Sequence, residues 1–459
     1  MRWKILLASV AIATLLLGMA AGYTLAQSSS LTTILEAGSL ATPANYVVFS
    51  DGSMYYARNG LTGEVEFSGS DFATVVQNAI NALPTSGGKI HIKAGNYTVS
   101  QTIILKDYLT LEGEGPYATI LYLEDGANCD ILATLGPVHP RHSYITIRDL
   151  RLEGNKDNNP TAGRGIHLVS AWKCHIENVH VLRCRQEGIK LYGSTAPQDT
   201  RECYIENCYV AYCAAEGIKL SYCVDCFLIH VYIEGCGGYG VAAYSSPNSY
   251  YHVHAYNCLE GLHVEGDKNV LVECHGDTAK RHGIHVEGDR NILVGCYAYK
   301  CSQESPNTYA GIALEGSNNT VMGCRCIDYQ STPTQAYGIQ EISGDHNVIT
   351  GCIVGLGNTV APMLITGAHT RVADCVGYVS EAEGVAYGLS DGSLIAHGLA
   401  GTPSVVVLTA LNATYDGVPV IVSWDEANTN STHIAVHILW ANGTPIADNV
   451  IAVAWIAKL

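Results

Sequence analysis

Basic side chains are scarce in this chain of 459 residues: 25 Lys and Arg face 42 Asp and Glu, a formal net charge of −17. That balance argues against nucleic acid and anionic membrane surfaces as partners, since both demand a basic footprint. A strongly acidic polysaccharide would need local bases or a metal ion to bind. Long apolar runs are also missing beyond residues 5–17, so no later segment reads as a membrane span. Cysteine is absent after Cys375, although 17 occur between Cys129 and Cys375. Cys223–Cys226 is the one Cys-x-x-Cys pair and has no partner pair or nearby His at zinc spacing, so no metal ligand set is assigned. The repeated region lacks the ten-residue amphipathic stretches that leucine-rich or ankyrin units require.

What is present begins with Arg2 and Lys4, the apolar run, and the small-x-small triplet Thr24-Leu25-Ala26. This pattern predicts a signal peptide over 1–26, with an uncleaved N-terminal anchor as the alternative. Either places the remainder outside the cell, secreted or at the cell surface. Residues 27–69 read as a polar stem and a hairpin region, with turn signals at Asp51-Gly52 and Asn59-Gly60. A short helix follows: Phe72, Val75, Val76, Ala79, Ile80 and Leu83 share one face, with Ser70 or Asp71 as the cap.

One phrase then recurs. Its copies start at Gly266, Gly288, Gly316, Gly344 and Gly367 and end at Cys274, Cys296, Cys324, Cys352 and Cys375, with Asn269, Asn291, Asn319 and Asn347 in one column. The starts are 22, 28, 28 and 23 residues apart, a solenoid period. A second phrase, Gly-apolar-x-apolar, keeps step: Gly165-Ile-His-Leu, Gly188-Ile-Lys-Leu, Gly217-Ile-Lys-Leu, Gly261-Leu-His-Val, Gly283-Ile-His-Val and Gly311-Ile-Ala-Leu. Alternation with period two is strand periodicity. Strands stacked unit on unit make a parallel β-helix. Columns of cysteine then read as interior thiols acting as small hydrophobes, with rung-to-rung disulfides as the alternative. The asparagine column reads as a turn ladder that serves the backbone.

With the helix, Gly87-Gly-Lys-Ile-His-Ile-Lys-Ala-Gly95-Asn-Tyr-Thr-Val and Leu109-Thr-Leu-Glu-Gly-Glu-Gly115 in place, residues 70–384 resemble the pectate-lyase-like right-handed parallel β-helix superfamily. The expected architecture is all-β: a right-handed parallel β-helix solenoid with an N-terminal capping helix, then a small C-terminal antiparallel β-sandwich over 385–459. In that last region the repeat stops and Trp424, Trp440 and Trp455 appear. The phrase His397-Gly-Leu-Ala-Gly-Thr-Pro403 resembles head domains of phage tail fibres and tailspikes. That resemblance implies a homotrimer; a monomeric cap for the solenoid is the other reading.

Outward residues of one β-helix strand stack into a column, a surface suited to an extended polymer. The variable residue of the second phrase supplies His167, Lys190, Lys219, His263 and His285; the residue before its Gly supplies Arg164, Glu187, Glu216, Tyr239, Glu260 and His282. Tyr192, Tyr222 and Tyr244 follow close behind and suit sugar rings. Polygalacturonases of the superfamily carry acids and a His before the corresponding Gly, which by position points to Glu216, Glu260 and His282. Pectate lyases use a base and carboxylate-bound Ca2+, which Lys190 and Lys219 beside Glu187 and Glu216 imitate. The chain departs from both: it has no Asn-Thr-Asp, Gly-His-Gly or Arg-Ile-Lys. A plainer reading makes Glu187–Lys190 and Glu216–Lys219 exposed ion pairs of small worth. Glu265, Glu287 and Glu315 before the repeated Gly, with Asp267, Asp289 and Asp345 after it, read as acidic turn columns, either simply solvated or bridged by a cation, for which Ca2+ is the natural candidate. Two functions therefore stand open. One is recognition and cleavage of an extracellular polysaccharide, by a lyase or glycoside hydrolase. The other is a non-catalytic adhesin or tailspike-like rod.

Overall fold

The computed structural model describes residues 43–136, 141–194, 196–411, 414–448 and 450–459. The expected signal peptide and the stem up to residue 42 lie outside these residues. Among the described residues no helix is long and apolar enough to cross a membrane.

The Gly-apolar-x-apolar phrases become the strands of an eleven-stranded parallel sheet. It runs in chain order from Ile103–Ile104 and Leu132–Ala133 through Ile166–Val169, Ile189–Tyr192, Ile218–Ser221, Val241–Tyr244, Leu262–Glu265, Ile284–Glu287, Ala310–Glu315 and Tyr337–Ser343 to Ala361–Leu364. The stacking is residue on residue: Ile166, Ile189, Ile218, Val241, Leu262, Ile284, Ile312 and Ile339 form one continuous register. Eleven strands at about 4.8 Å spacing make a wall some ~50 Å long. The second half of each coil adds strands to a larger sheet, where Leu271, Leu293, Val321 and Ile349 stack in the same way. The core is the buried interior between these walls, filled by Ile, Leu, Val and Cys.

All 17 cysteines are free, and all but Cys129 and Cys375 are buried. Cys174, Cys203 and Cys226 touch in one stack, as do Cys184, Cys213, Cys236 and Cys258. Cys274, Cys296, Cys324, Cys352 and Cys375 form a third. Cys208 belongs to that third line but is separated from Cys274 by Val231 and Val253, the residues that occupy its place on the intervening rungs. The thiols also give hydrogen to backbone oxygen, as Cys274 Sγ does to Tyr250 at 3.4 Å.

The turn that opens each nine-residue phrase explains its composition. Gly288 and Gly316 have φ of +140° and +141°. A Cβ on Gly288 would stand 2.4 Å from the Gly266 carbonyl, and one on Gly316 would stand 2.2 Å from that of Gly288. Both the left-handed backbone and the close rung leave room for glycine alone. Three residues on, the asparagine side chains serve the neighbouring backbone. Asn291 Oδ1 accepts the Asn269 N–H at 2.8 Å, Asn319 Oδ1 that of Asn291 at 2.8 Å, and Asn347 Oδ1 that of Asn319 at 2.7 Å. Asn248 extends the ladder backwards by giving its own N–H to Asn269 and accepting that of Cys226.

At the N-terminal end, Tyr46–Ser50, Tyr55–Asn59 and Val65–Gly69 form antiparallel hairpins. The first of them also pairs in parallel with Gly88–Ile92, which joins the hairpin to the first coil. The helix Phe72–Ala82 is capped by Asp71, which accepts the Thr74 N–H at 2.9 Å. It buries Phe72 against Tyr55 and Tyr97.

At the C-terminal end two antiparallel sheets share a second small core. One holds Glu381–Leu389, Val405–Ala410 and Ile451–Lys458; the other Leu394–Ala396, Thr414–Tyr415, Val418–Asp425 and His433–Trp440. Glu381–Leu389 crosses residue 385, where the change of composition had placed the border.

The asparagine ladder yields a stability prediction. Asn291→Ala removes the acceptor of a buried N–H in mid-ladder, which should cost about 1–3 kcal/mol. Urea unfolding would show it as a lower midpoint at unchanged slope. An unmoved midpoint would mean that the ladder bonds contribute nothing net.

Candidate functional site

The eleven-stranded sheet fixes three outward columns. The middle one reads His167, Lys190, Lys219, Ala242, His263, His285, Ala313 and Gln340 in unbroken register. The leading one holds Arg164, Glu187, Glu216, Tyr239, Glu260 and His282. Its backbone oxygens accept, rung by rung, from the sheet glycines: Glu216 from Gly188, Tyr239 from Gly217, Glu260 from Gly240 and His282 from Gly261. The trailing column runs Tyr192, Ser221, Tyr244, Glu265, Glu287 and Glu315. The residues singled out by sequence thus stand side by side, apart from Tyr222. That ring lies at a corner beyond the sheet, exposed, with its edge toward Tyr192 at 6.4 Å.

Toward the N-terminal end the strip is a network of charges centred on Glu187. This carboxylate takes Arg164 Nε at 2.7 Å and Lys190 Nζ at 3.1 Å, with Lys219 Nζ at 3.9 Å. Burial pushes its carboxyl up, but its own backbone N–H, Arg164 and Lys190 outweigh burial and hold it below the usual range. Lys219 also pairs with Glu216 at 3.2 Å and lies over the Tyr244 ring at 5.4 Å. Asp130 closes the far side, 3.3 Å from Arg164 and 3.1 Å from His167. Because Glu187 is only 5% exposed, its pairs are not the solvated surface bridges of the plainer reading.

Toward the C-terminal end the strip becomes imidazole and carboxylate. Glu260 Oε2 receives Nδ1 of His263 at 2.9 Å and Nδ1 of His285 at 3.3 Å. Burial pushes the Glu260 carboxyl up, yet these hydrogen bonds and the nearby imidazoles bring it down to about 2. His285 Nε2 meets Glu315 at 3.2 Å. Burial pulls His285 down, but Glu260, Glu287 and Glu315 together raise it. His282 behaves oppositely: burial and the charge of His285 push it down to about 4. Its Nδ1 accepts the Ala310 N–H at 3.0 Å, so the neutral ring presents Nε2–H, a donor. Tyr239 stacks flat on His263, centroids 4.5 Å apart at 8°, and Tyr309 meets His282 edge-on.

Sequence reasoning missed Asp130, whose rung lacks the repeated phrase, and Tyr309, which stands one residue ahead of the leading position before Gly311. It also put Glu265, Glu287 and Glu315 at a turn; they end strands, and Glu287 and Glu315 face the histidines. The aspartates behind them serve the backbone: Asp267 Oδ1 accepts the Asp289 N–H at 2.9 Å, and Asp289 Oδ1 that of Ser317 at 2.8 Å. Arg290 neutralises Asp267 as well. Backbone N–H groups and, at Asp267, a guanidinium thus relieve the carboxylates of this column. The strip itself is an open face rather than an enclosed cavity, a shape for a polymer more than for a small molecule.

Residues 164–252 match the family model described as "Right handed beta helix region". No curated protein matches the chain. Among solved structures, the A-module of Azotobacter vinelandii mannuronan C-5 epimerase AlgE6 is similar at 16% identity and TM-score 0.54, over 67% of this chain and 95% of that one. The Dettilon tailspike protein is similar at 12% identity and TM-score 0.51, over 84% and 91%. DFA-IIIase from Arthrobacter chlorophenolicus A6 is similar at 11% identity and TM-score 0.50, over 67% and 92%. The chain is a right-handed parallel β-helix protein. At these identities the likenesses establish the fold alone.

The Glu187 network generates its own test. Glu187→Ala strands Arg164 and Lys190 beside a buried, uncompensated site and should cost about 3–5 kcal/mol in urea unfolding. A loss below about 1 kcal/mol would return these pairs to ordinary surface bridges.

Proposed function

We propose that this protein binds an extended extracellular polysaccharide lengthwise along the eleven-stranded sheet and cleaves it by elimination. One observation carries the reading: three columns of ionisable and aromatic side chains run in register along one open face. Arg164, Lys190 and Lys219 suit acidic substituents. Tyr192, Tyr239 and Tyr244 suit sugar faces, and Tyr222 lies at the margin. Similar folds include a mannuronan epimerase and a tailspike protein, which supports a glycan partner.

Between the two cleavage chemistries, the carboxylates favour elimination. A glycosidase needs one carboxyl kept protonated as its acid. Glu187 is held as an anion by Arg164 and Lys190, and Glu216 is bonded to Lys219. Lys190 and Lys219 stand beside those anions, and either serves as the base only once a bound uronate has displaced it from its glutamate. The secreted form should therefore release unsaturated, ultraviolet-absorbing ends from a uronate-containing glycan. Lys219→Ala should lower the rate by about 10²–10⁴-fold. Reducing ends without absorbance would replace elimination by hydrolysis. Silence on neutral and acidic glycans alike, without binding, would sink the glycan reading.

A separate observation favours assembly into a tailspike-like trimer. Val385, Tyr387, Val405, Val407 and Ile456 are exposed. They share the outer face of one C-terminal sheet, where Val407 pairs with Ile456 and Ile456 with Glu383. Monomers rarely expose contiguous apolar patches of this kind. Copies of this chain are the occupant that the tail-fibre-like phrase at 397–403 implies. Sedimentation equilibrium should give a trimer, and Val407→Asp with Ile456→Asp should give a monomer of unchanged β-content. A wild-type monomer at micromolar concentration would end this reading.

A further inference from the structure

We propose that His263, His285, Glu287 and Glu315 form a binding site for a divalent first-row transition metal ion, with Zn2+ the best fit. Three donor atoms already converge. His263 Nε2 and His285 Nε2 each lie 3.6 Å from Glu287 Oε1. All three lie within 4.8 Å of one another. Metal–ligand bonds of about 2.0–2.2 Å in a tetrahedron hold neighbouring donors roughly 3.4 Å apart. Glu315 Oε1 stands 3.2 Å from the same His285 Nε2, and rotation of its partly exposed side chain would supply the fourth donor.

The surroundings supply the second, independent observation. Metal-binding imidazoles characteristically give their other N–H to a carboxylate, which fixes ring and tautomer. Here a single buried carboxylate, Glu260, serves both rings, at 2.9 and 3.3 Å from their Nδ1 atoms. Both Nε2 atoms are thereby turned toward Glu287. Tyr239, flat on His263, holds that ring in place.

Charge points the same way. Glu265, Glu287 and Glu315 pair directly across adjacent strands, an arrangement of like charges that is destabilising unless bridged. Among the described residues, Glu287 and Glu315 form ion pairs with these imidazoles only. Arginine, which relieves Asp267 in the next column, does not reach them. Two nitrogen donors disfavour Ca2+ and Mg2+, which take oxygen, and suit zinc and its neighbours. The inference goes beyond the glycan reading and does not rest on it, since binding is measured on the protein alone. An ion here would sit at the edge of the strip, beside Tyr239 and Tyr244, with its four positions filled by the two imidazoles and the two carboxylates.

The test uses the full chain, stripped with chelator and kept reduced, titrated with Zn2+ by calorimetry and with Co2+ by visible absorption. One equivalent should bind, with the intense d–d bands of tetrahedral cobalt and no sulfur charge transfer. His263→Ala and Glu287→Gln should abolish that equivalent. Glu260→Gln should weaken it about 10–100-fold. His369→Ala, in the separate exposed cluster with Asp345 and His346, should leave it intact. Glu287 is partly exposed, so Glu287→Gln keeps the test valid if His263→Ala fails to fold. No bound ion, an equivalent that survives Glu287→Gln, or sulfur-to-cobalt bands would each overturn the site.

Discussion

Every rung of this molecule must hydrogen-bond to the next at about 4.8 Å, and that spacing stacks each side chain on its counterpart. The rest of the structure follows from which side chains tolerate a copy of themselves at that distance. Aliphatic groups and thiols do, so the interior columns run as Ile, Leu, Val and Cys. Asparagine does better than tolerate it, because its amide reaches the backbone of the adjacent rung. Glycine is forced where the carbonyl of one turn comes within van der Waals contact of the next.

Charged groups do not tolerate such stacking, and each charged column is resolved by a different device. Lys190 and Lys219 lie directly opposite each other, and Glu187 sits between them and Arg164. His263 and His285 are likewise opposite, and Glu260 bridges them. Asp267 and Asp289 are taken up by backbone N–H groups of the following turn. In the first two cases the bridging carboxylate comes from the leading column, one coil-position away from the groups it neutralises. This is why the strip is made of interlocked networks rather than separate pairs, and why Glu187, Glu260, His263, His282 and His285 are buried although they point outward.

The same constraint decides what was legible in the sequence. A column that repeats its residue type announces itself, so the Gly-Ile-x-Leu strands, the cysteine stacks and the Asn269–Asn347 ladder could be read without coordinates. Asn248 escaped because its turn, Ser245-Ser-Pro-Asn248, has lost the glycine that marks the phrase. Asp130 escaped for a related reason: its rung, Leu132–Ala133, is only two residues long. Glu287 and Glu315 were seen but assigned to the turn, since nothing in a linear pattern shows that a strand's last residue leans over the middle column of the preceding rung. The small C-terminal strands were readable from alternation, whereas Glu381–Leu389 reads Glu-Ala-Glu-Gly-Val-Ala-Tyr-Gly-Leu, too polar and glycine-rich to stand out.

The strip also changes character along its length, and the change has a physical site. Between the Lys219 rung and the His263 rung the middle column falls to Ala242, buried in a row otherwise filled by long side chains. Tyr239 and Tyr244 flank that rung, and both close over His263. On one side lies a cation-rich network anchored on Glu187; on the other, a histidine cluster outnumbered by carboxylates. A polymer lying along the strip, as proposed, would pass three rungs of the cation network, one aromatic step and two rungs of histidines. Such an arrangement places opposite electrostatic demands on neighbouring units of one polymer. Under the proposed reading, such a strip would favour a ligand whose charge changes along its length.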